Sequence, residues 1–384
     1  MSESPSPSDA TVTLAESLQA AVDAEAGVAD EGCLLRVELP GRGLSWSMAA
    51  GGIERGGDRL MPSTPFRIAS ITKTFTAAIV VQLAAEGRLS FDDLMAPHLP
   101  PSVVDLVDRL HVFDGRSHGE HITIRQLLTH ASGLFDYAQA EGFFAAIAAA
   151  PDRVWTPRAM LEGAIEWGRP HFAPGEGYGY AYSDTGYVLL GLIIEVLDGR
   201  PLHESYRHRI LEPLGLRATY LEGHEPHRGP AIAHPYQGDF DVMPIHGTAD
   251  WAGGGLVSDV DDLAVFARAL VAGHLVPRPW LDEMLHYGFR TLDPARHSPG
   301  FVGYGFGVEA RECDGFMLRG HRGHWGAWMH IDPVSGLTLT GTINQAERRP
   351  DRIVQAVTAA VRASGLAEAD ADTSRDWRHA RGGR

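Results

Sequence analysis

Ser70 and Lys73 stand three residues apart in Phe66-Arg67-Ile68-Ala69-Ser70-Ile71-Thr72-Lys73-Thr74-Phe75. On a helix, residues at i and i+3 have Cβ atoms roughly 5–6 Å apart, so the lysine amine reaches the serine hydroxyl. A serine hydroxyl is a weak nucleophile until a neighbouring base takes its proton. Lysine serves as that base only if burial or a nearby cation lowers its pKa, and Ile68, Ala69, Ile71 and Phe75 supply an apolar setting. A helix N-terminus also favours negative charge developing on the serine oxygen. Of 33 basic side chains Lys73 is the only lysine. Where arginine fills every other cationic position, a retained lysine marks a need for an amine that can lose its proton near neutral pH.

Two further stretches carry usable chemistry. Tyr182, in Tyr182-Ser183-Asp184, would protonate a leaving group if it lay beside the Ser70/Lys73 pair; spacing alone favours a loop aromatic packed under the following helix. Gly320-His321-Arg322-Gly323-His324-Trp325-Gly326 leads into a strand. The edge of such a strand offers a backbone N–H to a developing oxyanion, and its small residues let a substrate lie close. Read alone, His321, His324 and His330 are surface or half-buried histidines. No carboxylate or cysteine stands at a metal-ligand spacing from them, so neither a metal nor a cofactor is expected. The glycine clusters at 175–179 and 253–255 lack the preceding strand and spacing of a nucleotide-binding loop; Gly175–Gly179 reads as a tight turn.

These groups need a scaffold, and the pattern supplies one. Residues 11–26 read as an amphipathic helix with Leu14, Leu18 and Val22 on one face. Cys33–Leu39 and Leu44–Ala50, split by Pro40-Gly41-Arg42-Gly43, read as a hairpin. A helix over 70–87 follows, then a helix-rich middle, and Gly253-Gly254-Gly255 opens another helix through Asp261–Leu270. From residue 303, glycine-separated runs at Tyr304–Ala310, Gly315–Arg319, Trp325–Ile331 and Leu337–Ile343 predict an antiparallel sheet, and 351–363 a last helix. Strands at both ends with helices between them imply an α+β (α/β) fold, its one sheet built from both termini. A helical subdomain is inserted at about 88–250. The domain runs over 11–364, between a flexible start (1–10) and a disordered tail (365–384).

Hydrophobic residues at 44% and charged residues at 21% describe a soluble globular chain. A net charge of −16 argues against nucleic-acid or anionic-membrane partners. Cys33 and Cys313 read as free thiols of a reducing compartment. The Ser/Pro-rich start lacks a signal's apolar stretch, and no apolar run is long enough to span a bilayer. A cytoplasmic location is expected.

Taken in order, the segments resemble the serine beta-lactamase and penicillin-binding protein superfamily, in the branch of class C beta-lactamases, D-aminopeptidases, DD-carboxypeptidases and related esterases. The resemblance covers about 30 to 345. Its marks are Ser-x-x-Lys within Phe66–Phe75, Ile124–Leu134, Phe172–Gly175, Tyr182–Gly191, Glu212–Leu216, Gly253–Ser258, Tyr304–Gly307 and Gly320–Gly323. It implies Ser70 as nucleophile, Lys73 as its base or proton relay, and Tyr182 in the tyrosine role of a Tyr-x-Asn motif. His321 takes the place of the lysine of Lys-Thr-Gly, and the N–H groups of Ser70 and His324 serve as oxyanion donors. Asp184, His321, Gly323 and His324 line the substrate, while Thr129-His130 and Ser132-Gly133 form a supporting turn.

The chain departs from that pattern twice. Asp184 replaces asparagine, and an ionised carboxylate cannot donate to a substrate carbonyl; it can instead pair with Lys73. Arg322 should point away from the face carrying His321, which leaves no cation for a substrate carboxylate and disfavours beta-lactamase activity. The expected function is an acyl-enzyme hydrolase of small esters or amides, an esterase or D-amino-acid-type peptidase. The alternatives are DD-carboxypeptidase or beta-lactamase-type activity, acyl transfer to a non-water acceptor, and an impaired homologue kept for binding. Phe135, Tyr137, Trp325 and Trp328 suggest an apolar acyl pocket.

Overall fold

The structure is a computed structural model and describes residues 7–27, 32–175, 179–288, 300–346 and 348–366. Seven strands form its main sheet: β1 (Cys33–Leu39), β2 (Leu44–Ala50), β3 (Phe301–Tyr304), β4 (Glu309–Cys313), β5 (Phe316–Arg322), β6 (Ala327–Ile331) and β7 (Thr338–Thr342). Their order is β3-β4-β5-β6-β7-β1-β2, with every pair antiparallel. The N-terminal hairpin joins the C-terminal meander where β1 pairs with β7, Leu34 facing Thr342.

The sheet separates two cores, and β1 shows how alternation assigns them. Cys33, Leu35, Val37 and Leu39 pack with Leu14, Leu18 and Val22 of α1 (Pro7–Ala26) and with Ile353, Val357 and Val361 of the C-terminal helix Asp351–Ala363. On the opposite face Leu34 joins the larger core. There Arg36 Nη1 pairs with Asp261 Oδ1 at 2.7 Å, and Glu38 pairs with Arg268, both partners lying on the helix Val260–Val271. That second face carries the remaining helices, among them α2 (Thr72–Ala85) and α3 (Asp184–Asp198).

The hairpin and the last helix fall where the pattern puts them. Elsewhere local geometry intervenes. Helix α1 begins at Pro7, earlier than residue 11, since proline's fixed φ suits a first turn. The rest of the N-terminus expected to be flexible, the centre of the Gly175–Gly179 turn and the tail from 367 lie outside the described residues. Leu366 packs against the α1 side of the sheet. The strand expected over Tyr304–Ala310 is two strands. Gly307 (φ 65) turns the chain against α2, where a Cβ would come within 2.6 Å of the Lys73 carbonyl oxygen. The triple glycine does not open a helix: Trp251–Gly254 is a single turn, then Leu256–Ser258 is a strand, and Asp259 caps the next helix by accepting from Asp262 N–H. Cys33 is buried and Cys313 half-buried, and they are not bridged. No helix among the described residues is long and apolar enough to cross a membrane.

Candidate active site

Three elements converge on Ser70. The short strand Phe66–Arg67 pairs with Leu256–Ser258 and delivers the chain to a 3₁₀ turn, Ala69–Ile71, that runs into α2. The bend puts Ala69 at φ 44, a left-handed conformation that costs a non-glycine residue about 1–3 kcal/mol and persists only where the surroundings enforce it. They do so here. Ile68 N–H donates to Leu256 O at 3.0 Å, Leu256 N–H to Thr72 Oγ1 at 3.1 Å, and Thr76 Oγ1 to Ala252 O at 2.7 Å. The Trp251–Gly254 turn is thereby fastened to α2.

Lys73 is fully buried, and its Nζ donates to Ser70 Oγ at 3.0 Å, to Gly253 O at 2.8 Å and to Asp184 Oδ1. A side chain at Gly253 would displace Asp184, because a Cβ would lie 2.5 Å from its Oδ1. Asp184 opens α3 and donates its own N–H to Asp136 Oδ1 at 3.2 Å. Burial, then the neighbouring Asp184, pushes the Asp136 carboxyl far above the carboxylate range and Asp250 up to about 6.

Tyr182 enters from the segment before α3 and lines the cleft beside Ser70. Its ring centroid is 4.8 Å from Lys73 Nζ. Burial above all, then Asp184, keeps its phenol protonated well past the ordinary range. His130 holds it in place: the ring stacks on Tyr182 at 4.2 Å, Nδ1 accepts Ser183 N–H at 3.1 Å, and the backbone carbonyl accepts Ala181 N–H at 2.9 Å. Desolvation holds the His130 imidazole neutral, with Lys73 adding to the effect.

On the far wall, β5 brings His321 beside this cluster. Its Nδ1 donates to Arg322 O at 2.7 Å, so Nε2 accepts from Tyr304 OH at 2.9 Å. Burial lowers its pKa to about 4 and leaves it neutral at pH 7. Arg322 also borders the cleft, but it is engaged in a fork with Glu309 at 3.0 and 3.3 Å and reaches Asp351 at 3.4 Å. Gly323 leaves no room for a side chain: a Cβ would sit 2.3 Å from Ile68 O. His324 is exposed at the cleft rim, and neither its N–H nor that of Ser70 donates to a backbone carbonyl among the described residues.

A cleft of about 1430 Å³ opens over Ser70 and is bounded on one side by Phe135, Phe143, Phe144, Ile147 and Phe240. Trp325 also lines it. Tyr137 and Trp328 do not, correcting the expected acyl pocket: Tyr137 is buried with its OH donating to Ala249 O at 2.9 Å, and Trp328 is in the core under α1. Ser70, Tyr182, Asp184, His321, Gly323 and His324 all line this one cleft, with Lys73 beneath it. The sequence reading did not find Asp136 and Asp250, which no local motif marks.

A family model described as Beta-lactamase matches residues 42–364. The chain belongs to the beta-lactamase family. Its fold is that of the serine beta-lactamase and penicillin-binding protein superfamily, a family of hydrolases. A D-stereospecific amidohydrolase from Streptomyces sp. is similar at 30% identity and a TM-score of 0.75, over 89% of this chain and 97% of that one. D-amino acid amidase from Ochrobactrum anthropi SV3 is 25% identical with a TM-score of 0.77, over 92% and 99%. Protein Rv1367c of Mycobacterium tuberculosis is 29% identical, covering 79% of this beta-lactamase-family chain and 82% of its own length.

Proposed function

We propose that this beta-lactamase-family chain is a serine hydrolase that forms an acyl-enzyme at Ser70 and acts on small amides or esters. The observation that carries the reading is the contact of the sole lysine, fully buried, with a serine hydroxyl at 3.0 Å. Ser70 Oγ attacks the acyl carbon, and its proton leaves through Lys73. The Ser70 and His324 N–H groups receive the oxyanion, Ser70's also gaining from the adjoining helix N-terminus. Tyr182, kept protonated by its surroundings, gives a proton to the departing amine or alkoxide. Water then reverses the sequence to release the acid.

Amides of D-amino acids are the favoured substrates, given the amidases at 25–30% identity, and the aromatic wall suits an apolar acyl side chain. Beta-lactam hydrolysis is disfavoured, because His321 is neutral and Arg322 is already engaged by two carboxylates.

Intact-mass measurement after mixing with p-nitrophenyl acetate tests the nucleophile. An acetyl adduct is expected on the wild type and not on Ser70→Ala, whose turnover of D-phenylalanine amide should fall by at least about 10⁴-fold. Equal turnover in the two proteins would refute the reading.

A further inference from the structure

We propose that Asp184 is the terminal proton acceptor of the nucleophile's relay, so that the base behind Ser70 is a lysine–aspartate couple rather than a free amine. The inference rests on the acyl-enzyme reading. An ammonium has three N–H donors and no lone pair. Around Lys73 Nζ stand three acceptors, Ser70 Oγ, Gly253 O and Asp184 Oδ1. The cavity therefore fits the charged amine, and a charged amine takes the serine proton only by giving one up.

Apart from His324, which is exposed at the rim and is not among the partners of Ser70 or Lys73, the other bases near by are engaged. His321 spends Nδ1 on Arg322 O and Nε2 on Tyr304 OH. His130 uses its lone pair on Ser183 N–H. Tyr182 is held as a neutral phenol. Asp136 is held protonated by burial and by Asp184, and Asp250 is pushed up to about 6 by the same two causes. Asp184 is the carboxylate that touches the lysine. The groups facing this couple are thus Asp136 and Tyr137 from one turn, Tyr182 and Tyr187 from the α3 region, Asp250, His130, His321 and His324.

As Ser70 Oγ bonds to the acyl carbon, the carbonyl π pair moves onto its oxygen. The Oγ–H proton passes to Nζ while one Nζ–H proton passes to Asp184 Oδ1. The net change is one proton from serine to aspartate, and the lysine stays an ammonium throughout. On collapse, the bond to the leaving nitrogen or oxygen breaks with its pair on that atom, which takes the Tyr182 proton; the proton on Asp184 returns through Lys73 to the tyrosine. The asparagine that the family resemblance gives at this position could not hold that proton.

Asp184→Asn separates this relay from a merely structural pairing. The acylation burst with p-nitrophenyl acetate should drop about 10²-fold with KM unchanged. Its rate should climb with pH into the alkaline range, because no carboxylate remains to take the proton, whereas the wild type reaches its plateau earlier. Asp184→Glu should recover part of the rate and keep the wild-type pH profile. An Asp184→Asn protein with the wild-type burst and profile would overturn the relay. So would an alkaline climb in Asp184→Glu, which serves if the asparagine variant fails to fold. Labelling of Ser70 by a fluorophosphonate in the wild type is the control. Its absence from folded protein would overturn the acyl-enzyme reading, and the relay with it, whereas labelling with unchanged Asp184→Asn kinetics would overturn the relay alone.

Discussion

His321 shows how a residue's charge state follows from its surroundings. It stands at the position where the family resemblance gives a lysine, yet both ring nitrogens are spoken for and burial lowers its pKa to about 4. An unfolded histidine titrates near 6.5, so the folded state favours the neutral ring. The associated stability is complete above about pH 6.5 and is lost as pH falls towards 4, up to about 3 kcal/mol in all. Urea unfolding of wild type and His321→Gln at pH 7 and pH 4.5 should show the mutant losing less stability on acidification. Parallel losses in the two proteins would contradict this account. The Ser-x-x-Lys spacing and the lone lysine were legible in the sequence itself, whereas Tyr182 was reached only through the family resemblance, since spacing alone read it as a loop aromatic. Asp136, Asp250 and the task of His130 were not, since they are brought to the cleft by contacts that no local spacing encodes.

Elements place these side chains through close backbone approaches. Gly307 turns with φ 65 and lies against the Lys73 carbonyl, while Thr74 Oγ1 donates to Gly307 O at 2.7 Å. Gly307→Ala would add both left-handed strain and a backbone clash, and should destabilise the protein by about 1–3 kcal/mol. It should also lower kcat by shifting the first turn of α2. Thermal melts and kinetics on one preparation would check both effects; a variant with unchanged stability would remove the packing argument. The same turn explains why a run that reads as one strand in sequence is two. Gly305 and Gly307 lie inside that run and were not read as an interruption, because nothing local marks the helix the turn serves. The β1–β2 hairpin, by contrast, was legible in full because alternation and a Pro-Gly turn suffice to specify it.

At the scale of the molecule, the cleft lies between the end of β5 carrying His321 and the helical layer carrying Phe143, Phe144 and Ile147. Phe144 lines the cleft and is 46% exposed, so its ring is open to contact with a substrate side chain. Phe144→Ala should reduce kcat/KM for D-phenylalanine amide by about 10-fold and leave D-alanine amide nearly unchanged, a difference of about 1–3 kcal/mol in apolar contact. Equal losses for both substrates would mean that this wall does not select the side chain.

The pairing of β1 with β7 bears on how the chain comes into being. On a ribosome the first hairpin emerges with its inner edge bare and its partner unmade. Ser70, Lys73 and Tyr182 follow it out, but the wall bearing His321 and the strand that closes the sheet come last. Pairing Leu34 with Thr342 encloses nearly the whole chain in one loop, and contacts of such long separation form late and slowly. A nascent chain halted before residue 338 would therefore hold Ser70 and Lys73 and no finished cleft, and the activity proposed above would begin only once the last strand had clicked into the gap left beside the first.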